Sequence, residues 1–283
     1  MRVVLSRKGF DSGYGGVPSP ILPDGRMVSL PIPDKDAPVT YSAIHRHGFN
    51  VGELVSELSR GRVRRDYRAH LDPDLDEKSV PRPDGWRPAF GQSGAALGHL
   101  LKNGVGPGDL FLFFGWFRAV EQVNSRWRYV RGSSPIHALW GWLSIGAVHA
   151  CHALPSEIRE RQAGHPHLSG VHPRGNSLFI AEHHLSIAGQ RYSGAGLFAN
   201  RRERALTLPG ASPSVWRLPA WMNPCAGFAS LSYHTDRARW TSDDAETCCL
   251  SSVAKGQEFV LSTQRTDLLT AWLSRLFEDA DRL

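Results

Sequence analysis

Three polar side chains occupy alternate positions in the segment His70–Asp74, which reads His-Leu-Asp-Pro-Asp. In an extended chain, His70, Asp72 and Asp74 would project from one side. An imidazole beside two carboxylates can bind a divalent metal or take part in proton transfer, so His70 and Asp72 are candidate catalytic residues. The spacing matches no known metal signature, and an Asp-Pro turn capped by its own carboxylates explains the same residues. The sequence leaves both interpretations open, and the spacing favours the turn.

A glycine-rich loop with two cations, Ser6–Gly16, follows a short β-prone run. Glycine lets backbone N–H groups approach a phosphate closely, and Arg7 and Lys8 supply positive charge. Asp11 could orient Arg7 or accept a proton. The loop is neither a Walker A loop nor a dinucleotide fingerprint, and a plain connecting loop is the alternative. We expect it to line the functional pocket, with Arg7, Lys8 and Ser12 as ligand contacts and Asp11 as a catalytic candidate.

Further candidates stand at the ends of predicted elements. Gln92 and Ser93 precede a predicted helix, whose exposed backbone donors could bind an anion or a base edge, although N-capping by Ser93 explains them equally well. Trp116 and Arg118 follow an apolar run. An aromatic ring with a nearby guanidinium can stack on a base and contact phosphate, but Trp116 could equally belong to the core. His234 is a further candidate proton carrier.

Histidines are concentrated in a second segment, His165-Pro166-His167, which is followed by His172-Pro173. Two histidines separated by one residue can chelate a metal, but no carboxylate follows nearby in the sequence. The intervening proline also suits a surface loop. The sequence therefore predicts no metal site, and it identifies no cofactor.

Composition restricts the class of protein. The chain has 283 residues and a formal net charge of +6, which is compatible with a polyanionic partner, although solvated arginines also produce such a balance. No apolar run approaches the roughly 20 residues of a membrane helix, and the N-terminal apolar run is too short for a signal peptide. The four cysteines form no Cys-x-x-Cys pair. We expect a cytoplasmic protein with reduced thiols and no membrane contact; the sequence gives no oligomeric state.

Two apolar runs dominate the segment 104–148. Leu110–Phe114 follows a Pro-Gly-Asp turn, and Leu139–Val148 lies beyond a polar interval. Five consecutive large apolar residues are typical of a strand buried on both faces. We expect the two runs to form adjacent antiparallel strands at the centre of a curved mixed sheet or small barrel. Their layout resembles that of PUA-like barrels, including the ASCH and EVE domains, which grip RNA or modified DNA bases.

Many short β-prone runs, among them Leu206–Leu208, Leu231–His234 and Gln257–Leu261, alternate with few helical patterns. The predicted helices are Val51–Arg60, Ser93–Lys102, Ser156–Ala163 and an amphipathic C-terminal helix from Asp267. No repeat or composition break demands a linker. The sequence therefore predicts a sheet-dominated α+β fold with peripheral helices, and one domain spanning residues 1–283.

Several strings of the chain resemble the nucleotide modification associated domain 3 family. They are Ser6–Ser12, Gly16–Ile21, Leu30–Asp34, His70–Asp74, Phe90–Gly94, the strand after Gly108-Asp109, and Gly256–Val260. The resemblance extends over nearly the whole chain. It implies a role beside enzymes that modify nucleic-acid bases, and it assigns no catalytic residues.

Three functions are consistent with these observations. The first is an enzyme that modifies a base on DNA or on a nucleotide, which would enclose the base in a pocket. The second is a non-catalytic reader of modified bases, which needs an aromatic cage and a basic rim. The third is an enzyme acting on an unrelated small molecule. We expect nucleic acid or a nucleotide as the partner, and convergence of His70 and Asp72 with Asp11 and Arg7 would favour an enzyme.

Overall fold

The structure is a computed structural model that describes residues 1–169, 175–253 and 258–280. Four α-helices lie in these ranges: α1 (Val51–Leu58), α2 (Gly94–Lys102), α3 (Ser156–Arg161) and α4 (Thr266–Leu276). The strands are β1 (Val3–Arg7), β2 (Ser19–Ile21), β3 (Ile32–Pro33), β4 (Val39–Thr40), β5 (His45–Arg46), β6 (Phe49–Asn50), β7 (Arg68–His70), β8 (Ala89–Ser93), β9 (Leu110–Val123), β10 (Arg126–Tyr129), β11 (Ile136–Ala150), β12 (Asn176–Ala181), β13 (His184–Ile187), β14 (Gln190–Ser193), β15 (Ala195–Leu197), β16 (Val215–Pro219), β17 (Ala229–Leu231), β18 (Trp240–Ser242), β19 (Thr247–Ser251) and β20 (Glu258–Thr263).

The two long apolar runs form β9 and β11. They pair antiparallel, from Phe117 opposite Ile136 to Leu110 opposite Ser144, with a bulge between Leu139 and Gly141. The residues from Leu110 to Phe114 are fully buried, because both faces of β9 are covered. The preceding turn requires a positive φ at Gly108, a conformation that glycine adopts without steric cost. These strands form the middle of the largest sheet.

The largest sheet is mixed and curved, and it is not closed into a barrel. Its strand order is β17-β20-β1-β9-β11-β12-β8, where β1 and β9 are parallel and the other neighbours are antiparallel. The curvature brings β8, at one end, against β20, where Gln92 Nε2 donates to Glu258 Oε1 at 2.6 Å. The fold is therefore α+β and sheet-dominated, as the sequence predicted.

The predicted helices are present with slightly shorter bounds. Helix α4 buries Leu269, Trp272, Leu273 and Leu276, which repeat at helical spacing and form its inner face. Leu97 and Leu100 form the buried side of the short helix α2, and Leu101 is 54% exposed.

Some predicted strands end differently in the structure. The predicted strand Leu231–His234 is wrong: β17 ends at Leu231, and the chain turns at Tyr233, which has a positive φ. The run Leu206–Leu208 forms isolated bridges rather than a strand. His172 and Pro173 lie outside the described residues, as does Gln257 just before β20. None of the described helices has the length and apolar character needed to cross a bilayer.

Candidate functional site

The carboxylate of Asp72 lies at the centre of three imidazoles. His70 Nε2 is 3.9 Å and His167 Nε2 is 3.8 Å from Asp72 Oδ2, whereas His165 Nε2 is 3.3 Å from Oδ1. Oδ1 also accepts the backbone N–H of Gly91 at 2.8 Å. The two carboxylate oxygens therefore have different surroundings: Oδ1 has protein donors, and Oδ2 faces two histidine nitrogens.

Hydrogen bonds at the far ring nitrogens fix the orientation of His70 and His167. His70 Nδ1 lies 2.9 Å from Asp34 Oδ2, and His167 Nδ1 lies 2.6 Å from Asn176 Oδ1. The amide of Asn176 is itself oriented, because its Nδ2 donates to the carbonyl of His167. Both Nδ1 atoms thus donate to oxygen acceptors. In the neutral rings this pattern assigns the lone pair to Nε2, the nitrogen that points toward Asp72.

His165 has the opposite arrangement. Its Nδ1 accepts the backbone N–H of His167 at 3.3 Å, within the short helical turn Pro166–Leu168. The neutral ring then carries its proton on Nε2, which faces Asp72 Oδ1. His165 therefore directs an N–H toward Oδ1 at 3.3 Å without forming a well-aligned hydrogen bond, whereas His70 and His167 direct acceptor nitrogens at Oδ2.

Three segments distant in sequence position these groups: residues 70–73, β8 and the turn Pro166–Leu168. His70 ends β7, and the cis peptide between Asp72 and Pro73 follows two residues later. Gly91 is the middle residue of β8, and a Cβ there would lie 2.2 Å from the ring of His167. Real Cβ atoms do not approach other atoms so closely, so His167 can occupy its position only because residue 91 has no side chain.

Burial and charge determine the protonation of the group. Burial by itself would raise the pKa of Asp72, but the close contact with His165 and the charges of the nearby imidazoles outweigh it and hold that pKa at about 2. Burial lowers the pKa of His167 to about 4, although the nearby Asp72 carboxylate opposes the shift. At pH 7 the centre therefore contains an ionised carboxylate and a neutral His167. His70 is the most exposed of the four side chains, at 18%.

One donor atom each from His70, Asp72 and His167 lies within 4.8 Å of the others. Metal–ligand bonds of about 2.0–2.2 Å hold such atoms roughly 3–3.5 Å apart, so a small inward movement would complete a coordination sphere. Two imidazole nitrogens and one carboxylate oxygen form the donor set of many iron and zinc sites. Hydrogen bonds such as those to Asp34 and Asn176 are the kind that orient histidines in metal sites. We call His70, Asp72, His165 and His167 the Asp72 centre.

The sequence brought only part of this centre together. It left open whether His70 and Asp72 project from one side of an extended segment or belong to an Asp-Pro turn; in the structure β7 ends at His70, the chain turns, and the two side chains face each other at 3.9 Å. Asp74 turns away and forms a buried two-point ion pair with Arg82. His165 and His167 were expected in a surface loop without a carboxylate partner, but folding supplies Asp72 as that partner. The sequence signal that could have indicated His165 and His167 is the spacing of two residues within each segment, His70 to Asp72 and His165 to His167.

Two predicted ligand contacts meet in a second buried group. Lys8 Nζ and Gln92 Nε2 both contact Glu258 Oε1, at 2.9 and 2.6 Å. Lys8 also lies over the ring of Phe90, 4.5 Å from its centroid. Ser93 donates its backbone N–H to Gln92 Oε1 and makes no side-chain cap to α2. Glu258, the residue that joins Lys8 to Gln92, was not predicted.

The remaining residues of the predicted loop have other environments. Arg7 donates to the carbonyl of Val253, and its guanidinium lies 5.7 Å from the ring centroid of Phe114. Burial lowers the pKa of Arg7, and the charge of Asp11 opposes that shift. Asp11 Oδ1 accepts the backbone N–H groups of Gly13 and Tyr14, which closes a local turn. Ser12 is exposed in that turn.

Three further candidates lie apart from the Asp72 centre. Arg118 donates to Ser133 Oγ and to the carbonyl of Val130. Trp116 is half-buried on β9, opposite His137 of β11. His234 is fully buried, and both of its ring nitrogens contact backbone groups, Ser232 O and Val253 N–H. Burial lowers the pKa of His234 to about 4, which keeps it neutral at pH 7.

The fold and the Asp72 centre together define an α+β protein whose curved sheet carries a buried histidine–carboxylate group with the donor set of a metal centre. The chain belongs to the nucleotide modification associated domain 3 family, whose profile matches residues 2–262. The match includes every residue of the Asp72 centre and of the Lys8–Glu258 contact. No curated protein and no solved structure matches the chain.

Proposed function

We propose that this protein is a metal-dependent enzyme that modifies a nucleobase or a nucleotide, with the metal held by His70, Asp72 and His167. The observation that carries the proposal is the convergence of two acceptor nitrogens on Asp72 Oδ2, at 3.8 and 3.9 Å. Three electron-rich atoms directed at one point repel one another unless a cation lies between them. The family supplies the substrate class, because its description associates it with nucleotide modification.

The surrounding residues would keep this set ready for a divalent ion. Asp34 and Asn176 accept from the two Nδ1 atoms and hold the rings in place. His165 and Gly91 hold Oδ1, which leaves Oδ2 directed at the histidines. When bound, a metal with three protein ligands supplies Lewis acidity and open coordination positions for a substrate or water. Iron(II) and zinc both suit this donor set.

Burial of these groups supports an enzyme over a reader of modified bases. Burying a carboxylate and its imidazoles costs free energy of solvation. A protein that only binds bases gains nothing from such a buried group. A reader needs aromatic surfaces and a basic rim. Strongly shifted pKa values, such as those of Asp72 and His167, are instead concentrated at sites of chemistry.

Metal uptake tests the proposal. The purified protein is stripped with a chelator, incubated separately with iron(II), zinc and manganese(II), desalted, and measured by elemental analysis. We expect about one equivalent of at least one of these metals, because three suitable donors define one site. Asp72→Asn and His167→Ala should each lose at least about tenfold in metal affinity, the scale on which even the outer partners of metal ligands act.

His183→Ala serves as the matched control, because His183 is an exposed histidine outside the centre. It should retain the uptake of the parent protein. If the parent protein takes up none of the three metals, or if Asp72→Asn takes up as much as the parent while still folded, the proposal of a metal-dependent enzyme fails.

A further inference from the structure

A second group of polar side chains lies inside the curve of the largest sheet and is not used by the proposed metal centre. It consists of Ser6 of β1, Lys8 just beyond β1, Gln92 of β8, Trp140 of β11 and Glu258 of β20, and we call it the interior cluster. These residues are far apart in the chain: β1 and β20 are paired in the sheet, and the curvature of the sheet brings β8 against them. Lys8 and Glu258, for example, are 250 positions apart in the sequence.

The register of the strands places these side chains on one face. Ser6 is the cross-strand partner of Glu258, and Lys8 follows Ser6 by two residues, so all three project to the same side. Lys8 Nζ and Gln92 Nε2 both donate to Glu258 Oε1, so the hydrogen-bonding capacity of that oxygen is used within the protein. These two contacts also fix the orientation of the carboxylate and hence the position of its other oxygen, Oε2.

Trp140 completes the cluster from β11, which lies beyond β9 in the sheet. Its ring lies 5.8 Å from that of Phe113, and Phe113 is the partner of Ser6 across β1 and β9. A Cβ built on Gly115 would lie 3.5 Å from Trp140 Nε1 and 2.7 Å from the carbonyl of Lys8. The indole N–H therefore lies near the backbone of Lys8, beside the space that a side chain at residue 115 would fill.

Three polar atoms of the cluster have no hydrogen-bond partner among the described residues: Ser6 Oγ, Trp140 Nε1 and Glu258 Oε2. All three are buried, and Ser6 and Glu258 are at most 1% exposed. Buried polar atoms are almost always satisfied, since each one left unpaired costs free energy. Three such atoms in one cluster are explained if a bound molecule supplies their partners.

We infer that the interior cluster recognises a nucleobase that carries both an exocyclic amine and a ring carbonyl. Glu258 Oε2 offers an acceptor for the amine, Trp140 Nε1–H offers a donor for the carbonyl, and Ser6 Oγ can act as either. Cytosine and guanine have both groups; adenine lacks the carbonyl, and thymine and uracil lack the amine. The choice of a base as ligand rests on the proposed function.

The interior cluster lies on the opposite face of β8 from the Asp72 centre, because the adjacent residues Gly91 and Gln92 point to opposite sides. The inference therefore concerns recognition of the base and not the chemistry at the metal.

The experiment removes unpaired polar atoms and leaves the hydrogen bonds of the protein in place. Ser6→Ala deletes an atom that makes no hydrogen bond among the described residues, so melting temperature should stay equal to the parent value or rise. Trp140→Phe also removes part of a buried ring, so its melting temperature should fall, and its folding is checked before binding is measured. Binding of the four deoxynucleoside monophosphates is measured by calorimetry. We expect the parent to prefer dCMP or dGMP over dAMP and dTMP, and each variant to lose about tenfold in affinity for the preferred nucleotide, the worth of roughly one hydrogen bond.

Glu258→Gln provides a second variant for the amine contact, with its folding checked by melting, because it also alters the contact with Lys8. The inference is overturned if the parent binds none of the four nucleotides, if it does not discriminate among them, or if folded Ser6→Ala and Trp140→Phe bind as tightly as the parent. The last result would mean that the three atoms contact ordered water only.

Metal uptake, measured on the same preparations, separates this inference from the proposed function. Asp72→Asn should still bind the preferred nucleotide, and Ser6→Ala should still take up metal. Loss of discrimination with intact metal uptake overturns the inference alone.

Discussion

At the scale of single residues, the two oxygens of the Asp72 carboxylate have different tasks. Oδ1 accepts the backbone N–H of Gly91 and lies 3.3 Å from His165 Nε2, so the carboxylate cannot rotate freely. Oδ2 faces His70 and His167, whose outer nitrogens are already bound to oxygen acceptors. This division orients one carboxylate oxygen and two nitrogens toward a common point, which is what a metal ion requires.

The buried His167 makes stability depend on pH. Its pKa is lowered to about 4 in the folded protein, mainly by burial, whereas an unfolded histidine has a pKa of about 6.5. Between these values the unfolded chain binds a proton at residue 167 that the folded protein does not. The free energy of unfolding should therefore fall as pH drops from about 6.5 toward 4.

His167→Gln isolates this contribution, because the other buried histidines remain in both proteins. Urea titrations at a series of pH values, with chelator present, should give a flatter dependence for the variant over this window. Asp72 does not interfere, since its pKa of about 2 lies below the window. Parallel curves for the two proteins would contradict the assigned burial of a neutral His167.

Only contacts that are local in sequence could be predicted at this scale. Alternation along an extended segment relates His70 to Asp72, and the same spacing would relate Ser6 to Lys8, a pair that was not predicted. The partners His165, His167 and Glu258 come from distant segments, so no spacing rule relates them to those pairs. A glycine-rich loop and a nearby Arg-Asp pair drew attention to Arg7 and Asp11, but Asp11 closes its own turn instead.

At the scale of elements, strand β8 connects the two polar groups. Its residue Gly91 faces His167 and donates to Asp72, and the next residue, Gln92, contacts Glu258. A strand presents successive side chains to opposite faces, so a single short element supports both sites. Pairing with β12 holds β8 in register, with Gly91 opposite Leu178.

Gly91→Ala should damage the Asp72 centre without touching a polar side chain. The new Cβ would lie 2.2 Å from the ring of His167, so either the ring or β8 must move. Overpacking of this kind costs about 1–3 kcal/mol, and displacement of His167 should lower metal affinity as well. Thermal melting and metal titration measure the two effects.

Gly98→Ala is the matched control, because Gly98 lies within α2 and a Cβ there meets nothing within 4 Å. Alanine favours a helix over glycine by about 1 kcal/mol, so this variant should melt at the same or a higher temperature. If Gly91→Ala behaved like Gly98→Ala in both measurements, the close packing of His167 on β8 would be refuted.

Elements with strong periodicity could be predicted from the sequence. Burial requires long apolar runs in β9 and β11 and apolar residues at helical spacing in α4, and these patterns can be read directly from the sequence. The course of the chain near His234 could not be predicted, because β17 ends at Leu231 and Tyr233 adopts a positive φ that its sequence does not demand. His234 is consequently a buried structural residue whose ring contacts backbone groups.

At the scale of the whole molecule, curvature of the largest sheet decides which residues meet. The β8 end approaches β20 and β1, although β8 and β1 are separated by three strands in the order of the sheet. Sequence patterns predicted a curved sheet but not which strands would face one another across it. The family match over residues 2–262 includes both polar groups, while α4 lies beyond it.

The most direct test of the central claim is a comparison of nucleosides from cells that express the parent protein or Asp72→Asn. DNA, RNA and the free nucleotide pool are digested separately and compared by mass spectrometry, with both proteins confirmed to be folded and equally abundant. The account predicts at least one modified base or nucleotide that is present with the parent protein and absent with Asp72→Asn, because loss of the carboxylate removes a metal ligand. Identical profiles in all three fractions, obtained with a metal-loaded parent protein, would contradict it.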